Sequence, residues 1–385
     1  MYVVTVPNTA RAFLRGQVEA IQSAGYDVVI VSSPTPLLWK VSEQHHVRVF
    51  GVSMSREINP LQDIRSLWQL IKLFRNEKPD IINAGTPKAG LLGMVAACVT
   101  RVPCRIYQLR GLRLETTSGL KRFILGFSER IASKCSHYII CNSQSLVETY
   151  KELGLAPVSK LQVLGHGSSN GVDLQRFSPS RDLLSQAEHI RRTLDIPKDA
   201  HVIGFVGRLT RDKGIINLLS VFKQLKKTIP NLYLLLVGDF ESGDPVPDSI
   251  VNLITEEHHI RLTGFIDNVA PYYHLMDVLV FPSYREGFPN APLEAAAACI
   301  PTIGFQVTGV IDAVKNGETG ILVPLGDDAA LAQATLQVII SPELRKQLGS
   351  KAQIWVKNNF MQKDVWHRWI EFYTWCSEKH VSTSR

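Results

Sequence analysis

The sequence has few of the features that define several protein classes. Its 385 residues include only six cysteines, none in a CxxC pair, at positions 98, 104, 135, 141, 299 and 376. We therefore expect reduced cytosolic thiols, not a disulfide framework or a zinc site. The longest uninterrupted apolar run, 89–99, is too short to cross a bilayer, and the N-terminal residues lack a signal-peptide pattern.

Motifs of several enzyme classes are also missing. The chain has no HExxH, Walker A lysine loop, GxSxG motif or zinc-ligand spacing. The glycine-rich run 165–171 resembles a dinucleotide fingerprint, but its third glycine is out of place and no helix pattern follows. The histidine pairs at 45–46 and 258–259 lack acidic or cysteine partners. We therefore expect neither an NAD site nor a bound metal.

Length and composition predict ordinary globular domains. At about 150 residues a domain, the chain has room for two or three cores. Hydrophobic residues make up 45 % and charged residues 20 %, which excludes long disorder and coiled coil. The net charge of +7 is uneven, since residues 1–195 hold 24 Lys and Arg against 15 Asp and Glu, and residues 101–134 hold eight against two. A basic half fits nucleic acid, an anionic membrane or an anionic substrate.

Short β-branched runs alternate with helical patterns along the chain. Strands are predicted at 2–6, 27–32, 46–52, 80–84, 104–109, 137–141 and 160–164, and again at 202–206, 233–237, 260–262, 278–281, 301–304 and 321–323. Residues 59–77 predict a helix that starts at Asn59 and Pro60 and has one apolar face, formed by Leu61, Ile64, Leu67, Trp68, Ile71 and Phe74. Apolar strands joined by helical crossovers predict an α/β fold with doubly wound parallel sheets.

We predict two such domains in tandem, without an internal sequence repeat. The N-terminal domain is expected at 1–180 and the C-terminal domain at 201–360. Between them, a polar connection with a helix-like stretch at 183–194 is expected at 181–200. Residues 361–385 carry apolar side chains at helical spacing, namely Val365, Trp366, Trp369, Phe372, Tyr373 and Cys376. We expect this last helix to pack back on the N-terminal domain.

The densest group of candidate site residues lies between positions 281 and 294. Glu286 follows a predicted strand, and ligands of open α/β sheets bind at the carboxyl ends of strands. A helix is predicted to start near Pro292, which places Glu294 in its first turn. Backbone N–H groups there favour phosphate oxygens, and the two carboxylates can accept hydrogen bonds from vicinal hydroxyls, so the pattern suits a nucleotide sugar. Each residue also has an alternative explanation without a ligand. Glu294 would stabilise the helix through its dipole, and Glu286 would be an ordinary solvated loop residue.

A second group follows the strand at 202–206. Arg208 and Lys213 leave the strand end and flank the turn into the next helix. Two fixed cations can stabilise the charge of a departing diphosphate. The alternative is an ordinary solvated loop, which fits Arg211 and Asp212 well.

Together these motifs resemble those of the retaining GT-B glycosyltransferases of family 4. Residues 168–177 also look like the interdomain segment of that family. The resemblance covers essentially the whole C-terminal domain through Gly207-Arg208, Lys213-Gly214, Gly264-Phe265, Asp277, Pro282-Ser283, Glu286-Gly287-Phe288-Pro289, Leu293-Glu294-Ala295, Thr308-Gly309, Gly317 and Thr319-Gly320.

The resemblance implies two Rossmann-like domains that face a central cleft, with the acceptor on the N-terminal domain and the donor on the C-terminal one. It implies that Arg208 and Lys213 hold the diphosphate, that Glu286 contacts the donor sugar, and that Glu294 contacts the ribose. No metal or cofactor is expected beside the nucleotide-diphosphate sugar, because the two cations replace a metal. Retention is expected through same-face attack. Further donor contacts are implied for Gly207, Gly264, Phe265, Gly287, Phe288, Pro289, Asn290 and Leu293.

The N-terminal domain departs from the family pattern. Many relatives have a glycine pair after the first strand, where this chain has Asn8, and histidines at two later strand ends. Arg110 takes roughly the place of the histidine that faces the donor sugar, and a guanidinium is no base at neutral pH. We therefore assign no catalytic base. The candidates on the acceptor or donor-sugar side are Asn8, Asn83, Thr86, Arg110 and Asn170.

We therefore expect a retaining transferase that moves a hexose or N-acetylhexosamine from a UDP-sugar, with a GDP-sugar as second choice. The expected acceptor is a polyprenyl-diphosphate-linked or growing glycan in surface polysaccharide assembly. The alternatives are a nucleotide-sugar 2-epimerase of the same fold and a non-catalytic sugar-binding protein. Residues 120–127 mix apolar and cationic side chains, which predicts docking at the anionic inner face of the plasma membrane or an ordinary solvated helix. Binding to nucleic acid is suggested only by the positive charge, and no nucleic-acid recognition motif supports it.

Overall fold

The computed structural model describes residues 1–55, 59–241 and 243–381, without the side chains of residues 12 and 13. The chain forms two compact units. The first unit contains Met1–Asn170 and Gln362–Arg385, and the second contains Gly171–Met361. Among the described helices, none has both the length and the apolarity needed to cross a bilayer.

The first unit is built on a seven-stranded parallel sheet. Its strands are β1 (Tyr2–Val3), β2 (Val29–Ser32), β3 (Arg48–Gly51), β4 (Ile81–Gly85), β5 (Cys104–Leu109), β6 (Tyr138–Cys141) and β7 (Leu161–Gln162). Their order is β3-β2-β1-β4-β5-β6-β7, with β1 in the interior. Each of these strands was predicted, although β1 ends earlier than expected because a helix begins at Pro7.

Helices cover both faces of this sheet. They are α1 (Pro7–Phe13), α2 (Gln17–Ser23), α3 (Pro36–His45), α4 (Pro60–Glu77), α5 (Pro87–Val99), α6 (Gly119–Cys135) and α7 (Gln144–Glu152), followed much later by the C-terminal helix (Gln362–Cys376). Short 3₁₀ turns lie at Arg113–Thr116 and Val158–Lys160, and a π-helical turn follows at Ser377–Val381.

The C-terminal helix belongs to the first unit. Trp369, Phe372, Tyr373 and Cys376 are buried in one core with β1, α2 and α3. The other face of the sheet packs against residues of α4 to α7. Trp366 is only partly buried, and its indole N–H donates to the Asn170 side chain at 2.6 Å. A chain segment that follows the second unit thus completes the core of the first.

Helix α4 begins as the sequence predicts, but its apolar face is only half buried. The Asn59 side chain accepts a hydrogen bond from the Gln62 amide, which caps the helix. Ile71 and Phe74 are buried, whereas Leu61 and Trp68 are 84 % and 65 % exposed, and Ile64 is exposed as well. At 100° per residue, exposed Ile64 and buried Ile71 lie within about 20° of each other, so they share a face. The single predicted apolar face is therefore exposed along the first half of the helix and reaches the core along the second half.

The second unit is built on a six-stranded parallel sheet. Its order is β10-β9-β8-β11-β12-β13, again with the first strand in the interior. Its strands are β8 (His201–Val206), β9 (Leu232–Val237), β10 (Ile260–Leu262), β11 (Val278–Phe281), β12 (Thr302–Phe305) and β13 (Gly320–Val323), all of them at predicted positions. The helices are α8 (Leu174–Phe177), α9 (Arg181–Thr193), α10 (Ile215–Lys226), α11 (Asp248–Glu256), α12 (Ala270–Tyr273), α13 (Asn290–Ala297), α14 (Val310–Ala313), α15 (Asp328–Ile340) and α16 (Pro342–Asn359).

The boundary predicted between the domains lies too late in the chain. The second unit already begins at Gly171, and 181–200 is no free connection. Within it, α9 buries Leu183 and Ala187 in the core of the second unit. This helix is polar on most of its surface and buries only a narrow stripe, so its composition resembles that of a linker.

Candidate active site

An ion pair joins two loops at the carboxyl edge of the second sheet. The Lys213 ammonium, in the loop between β8 and α10, contacts the carboxylate of Glu286, in the loop after β11. Both side chains are largely buried, at 15 % and 11 % exposure. The ammonium also lies 5.9 Å from the centre of the Phe281 ring. Two of the predicted catalytic residues are therefore in direct contact.

Asp212 and Arg285, which directly precede Lys213 and Glu286, form a second ion pair between the same loops. In this pair the acidic residue lies in the first loop and the basic residue in the second. Arg285 donates to the Asp212 carboxylate at 2.8 Å, and the Thr210 hydroxyl donates to the same carboxylate at 2.6 Å. Burial alone would raise the pKa of Asp212, but the Thr210 hydrogen bond and the charges of Arg285, Lys213 and Arg208 together lower it. Asp212 is thus a charged clamp between the loops and not the solvated residue we expected, whereas Arg211 is exposed as expected.

Arg208 lies in the same loop as Lys213 but pairs with a different partner. Its guanidinium contacts the carboxylate of Glu241, which follows β9. The side chain is 53 % exposed, so it can reach a ligand at the edge. Glu241 could not be predicted as a site residue, because nothing in the neighbouring sequence links it to a loop 33 residues earlier.

Glycines let the strand ends touch backbone to backbone. A Cβ on Gly214, where φ is +71°, would lie 1.9 Å from the carbonyl oxygen of Pro282. A Cβ on Gly238 would lie equally close to the carbonyl oxygen of Gly207. Gly238 also forms a bridge with Gly264. The resemblance had singled out Gly207 and Gly264 but not Gly238, whose position directly after a wholly apolar strand was the available signal.

Glu294 lies deeper in its helix than predicted. Helix α13 begins at Asn290 rather than near Pro292, so Glu294 is its fifth residue and lies beyond the first turn. Burial raises the pKa of Glu294, while the Tyr273 hydroxyl, which donates at 2.8 Å, and the charge of Arg176 act in the opposite direction. The sequence analysis found neither of these partners.

The segment that leads into α13 offers backbone groups to a ligand. Pro289 precedes the helix, no side chain caps its N-terminus and its first turn holds no acidic residue. The backbone N–H groups of such a terminus attract anions. A Cβ on Gly309 would lie 2.7 Å from the Gly287 backbone, so this glycine allows the loop to pack closely.

Several residues predicted to contact the donor do not offer their side chains. Phe288 is buried and its ring lies 5.1 Å from that of Phe360. Leu293 is fully buried, and Pro289 is buried too. Their side chains belong to the core, so only their backbone remains available to a ligand. Phe265, by contrast, is 64 % exposed.

In the first unit, polar side chains gather at the carboxyl edge of the sheet. Arg110 follows β5 and donates to the Gln108 side chain at 2.8 Å, and Gln108 donates to Asn142 at 3.4 Å. Thr86, with φ at +84°, shares a 2.6 Å hydrogen bond with Thr5. Burial lowers the pKa of Arg110 to about 10, so the guanidinium remains charged at neutral pH. The structure thus brings Arg110 and Thr86 to this edge.

Two other candidates of the first unit have structural partners instead. Asn83 donates to the Tyr373 hydroxyl at 2.7 Å. Asn170 donates to the Arg15 carbonyl at 3.0 Å and accepts from Trp366. Both amides therefore bind the C-terminal helix or the loop before α2, and their role in ligand binding stays a prediction. Asn8 lies exposed in α1.

The chain has the GT-B fold, with two Rossmann-like units. The chain superposes on the Anabaena protein HepE, determined in complex with UDP and glucose, with a TM-score of 0.79 at 20 % identity, over 97 % of this chain and 98 % of the other. A likeness at this identity establishes the fold.

Sequence relatives identify the family. Residues 8–167 match the model described as "Glycosyl transferase 4-like domain" and residues 186–355 match "Glycosyl transferases group 1". The chain is 38 % identical to the capsular polysaccharide biosynthesis glycosyltransferase CapM of Staphylococcus aureus, over 97 % of this chain and 96 % of that one. It is 29 % identical to an Escherichia coli UDP-Gal:α-D-GlcNAc-diphosphoundecaprenol α-1,3-galactosyltransferase, over 76 % and 75 %. The chain belongs to the family 4 glycosyltransferases of GT-B fold.

Proposed function

We propose that the protein transfers a hexose or N-acetylhexosamine from a UDP-sugar, with retention of configuration, to a polyprenyl-diphosphate-linked or growing glycan of a surface polysaccharide. The observation that carries the proposal is the buried ion pair of Lys213 with Glu286, at the sheet edge that also holds Arg208. The names of the relatives support it. One acts in capsular polysaccharide biosynthesis, another uses UDP-Gal and a diphosphoundecaprenol acceptor, and a structural neighbour binds UDP.

The charges of this edge suit a nucleoside diphosphate as leaving group. Arg208 and Lys213 would stabilise the negative charge that develops on the diphosphate, together with the backbone N–H groups before α13. In the transfer, the bond from the sugar C1 to the diphosphate oxygen breaks and the acceptor oxygen bonds to C1 on the same face. The acceptor proton passes to the departing diphosphate. Glu286 would accept hydrogen bonds from the sugar hydroxyls.

The donor nucleotide can be identified by thermal unfolding. UDP, GDP, ADP and NAD are compared at equal concentration with the wild type and with Glu294→Ala. A ligand at 100 times its dissociation constant stabilises the folded state by about 2.7 kcal/mol, so we expect UDP to raise the melting temperature of the wild type and not of the variant. Stabilisation by NAD or ADP instead of UDP would refute the proposal.

Turnover separates the transferase from its two rivals. We expect UDP release only when a lipid-linked acceptor is present, an α-linked product from an α-linked donor by NMR, and an unchanged rate in EDTA. UDP-sugar interconversion without an acceptor would establish the 2-epimerase. Binding of the donor without any turnover would favour the sugar-binding protein.

We further propose that α4 and α6 dock the first unit on an anionic lipid surface. Leu120, Phe123 and Phe127 of α6 are 74 %, 70 % and 58 % exposed and share one helix face. The same helix carries Lys121 and Arg130 on its exposed surface. Apolar side chains that enter the headgroup region and cations that meet anionic lipids are the combination that binds a membrane surface.

The exposed stripe of α4, with Leu61 and Trp68, widens this surface. Helix α5 contacts both α4 and α6. All three helices begin at the carboxyl edge of the sheet, so the exposed apolar residues in the N-terminal halves of α4 and α6 lie at the same end. Co-sedimentation with phosphatidylglycerol vesicles should fall in Phe123→Ser and not in Ile354→Ser, a control at an exposed position of the second unit. Equal recovery on neutral and anionic vesicles would refute docking.

A further inference from the structure

Tyr273 contacts Glu294 from within the core of the second unit. It is the last residue of the short helix α12, and its ring is fully buried. The ring packs edge-on against Phe177, with 5.8 Å between the ring centres. The hydroxyl donates to Oε2 of Glu294 at 2.8 Å. The tyrosine therefore reaches the carboxylate from the side of the core.

A buried tyrosine hydroxyl needs a hydrogen-bond partner, and here that partner is an acidic side chain. Burial raises the pKa of Tyr273 well above its usual value, so the hydroxyl keeps its proton and acts as a donor. A carboxylate offers about four lone pairs on two oxygens. The bond to Oε2 fixes the plane of the carboxylate and leaves acceptor capacity on Oε1.

Arg176 supports the same carboxylate from a second element. Its guanidinium lies 5.2 Å from the centre of the Phe177 ring and donates to the Asp267 carbonyl at 3.1 Å. Its charge and the Tyr273 hydroxyl both favour the ionised form of Glu294, against burial, which raises the pKa of Glu294. These two groups oppose the effect of burial on the carboxylate.

We propose that Tyr273 is a positioning residue for the donor, which orients Glu294 to accept hydrogen bonds from the two vicinal hydroxyls of the nucleotide ribose. The inference rests on the proposed function, because it assigns a task within the same nucleotide site. Tyr273 itself does not touch the donor. Its effect passes through Glu294 and therefore depends on the ribose hydroxyls.

Two nucleotides separate this role from a merely structural one. UDP and 2′,3′-dideoxy-UDP are titrated calorimetrically into the wild type, Tyr273→Phe and Tyr272→Phe. Tyr272→Phe is the matched control, since it also removes one tyrosine hydroxyl from α12. We expect Tyr273→Phe to weaken UDP about tenfold, which equals about 1.4 kcal/mol, and to leave the dideoxy nucleotide unchanged. Tyr272→Phe should match the wild type with both.

The outcomes distinguish the inference from the function on which it rests. Equal weakening of both nucleotides by Tyr273→Phe, or no weakening of either, overturns the positioning role. A wild type that binds UDP and the dideoxy nucleotide equally well, or neither of them, refutes ribose binding at Glu294 and hence the proposed nucleotide site.

Kinetics and pH give a second readout. Because Glu294 would hold the ribose equally in the ground and transition states, Tyr273→Phe should raise KM for the donor and leave kcat unchanged. Loss of the hydroxyl removes a donor to the carboxylate, so the pKa of Glu294 rises further. As the pH is lowered, the variant should therefore lose its affinity for UDP at a higher pH than the wild type does. Identical pH profiles would contradict the inference.

Discussion

The two units share one architecture and differ in the chemistry at the same edge. In both sheets the first strand of the unit lies in the interior and the order reverses beside it. The second unit places two ion pairs at its carboxyl edge, in which Asp212 and Lys213 of one loop face Arg285 and Glu286 of the other. The first unit places neutral amides and hydroxyls there, with Arg110 among them.

This difference shows that the fold fixes where a ligand binds, while the side chains fix which ligand it is. An edge rich in paired charges suits a diphosphate, whose oxygens can replace the carboxylates as partners of the cations. An edge of amides and hydroxyls suits a hydroxyl-rich glycan. Changes at each edge should therefore have different consequences.

The largest effect is expected at the charged edge. Lys213→Ala should lower kcat by about 10²- to 10³-fold, because loss of one group that stabilises the departing charge costs about 2.7–4 kcal/mol. Arg211→Ala, two residues earlier and exposed, is the matched control and should retain nearly full activity. Initial rates of UDP release measure both. Similar losses in the two variants would mean that the loop needs only its overall charge.

The close backbone contacts at the charged edge should make its glycines intolerant of substitution by alanine. Gly214→Ala should destabilise the second unit by roughly 3 kcal/mol, since the added Cβ collides with the Pro282 carbonyl at a residue of positive φ. Gly317 has a similar φ of +77° but open space around it, so Gly317→Ala should cost only about 1 kcal/mol. Urea unfolding compares them. Equal losses of stability in the two variants would show that the positive φ, and not the collision, causes the destabilisation.

The buried carboxyls of the two units should respond to pH in opposite ways. Glu129 of α6 accepts hydrogen bonds from Tyr107 and Tyr150, yet burial raises its pKa from 4.5 to about 7, whereas the pKa of Asp212 is lowered. Because folded Glu129 keeps its proton longer than the unfolded chain does, stability is lost as the pH rises from about 4.5 to about 7.

This loss should amount to at most about 3 kcal/mol and be absent in Glu129→Gln. Urea unfolding of both proteins at pH 5 and pH 8 tests it by tryptophan fluorescence. Five of the six tryptophans lie in the first unit, at positions 39, 68, 366, 369 and 375. An equal pH dependence of the two proteins would contradict the prediction.

The smallest effect is expected at the clamp between the loops. Asp212→Arg and Arg285→Asp should each lower kcat/KM about tenfold, because like charges then meet where 2.8 Å separates the ion pair. The double variant restores opposite charges and should recover part of the loss. Losses that simply add in the double variant would show that the two residues are not coupled.

Much of the fold follows from local sequence. The strands were predictable because parallel strands buried on both faces are short apolar runs bounded by polar segments. The position of Arg208, Lys213 and Glu286 at one sheet edge was predictable because each follows a strand end, while their roles in binding stay predictions. The helical pattern of α9 is visible in the sequence at 183–194, but two buried side chains in a polar segment give little sign that it packs on the second unit.

The remaining errors concern partners that are distant in sequence. Asn83 lies in the middle of β4 and was predicted to bind a ligand, but its partner Tyr373 lies 290 residues later. Tyr273 and Glu294 are 21 residues apart in different helices, and only folding shows that they touch. The sequence indicates which edge holds the site, whereas the structure decides which polar side chains at that edge support the fold.

The central claim is that the charged edge of the second unit holds the diphosphate of the donor. Calorimetric titration of UDP into the wild type, Lys213→Ala and Arg110→Met tests it most directly. We predict at least tenfold weaker binding in Lys213→Ala and wild-type affinity in Arg110→Met, because UDP lacks the sugar. Full affinity in Lys213→Ala together with a loss in Arg110→Met would contradict the account and move the diphosphate to the first unit.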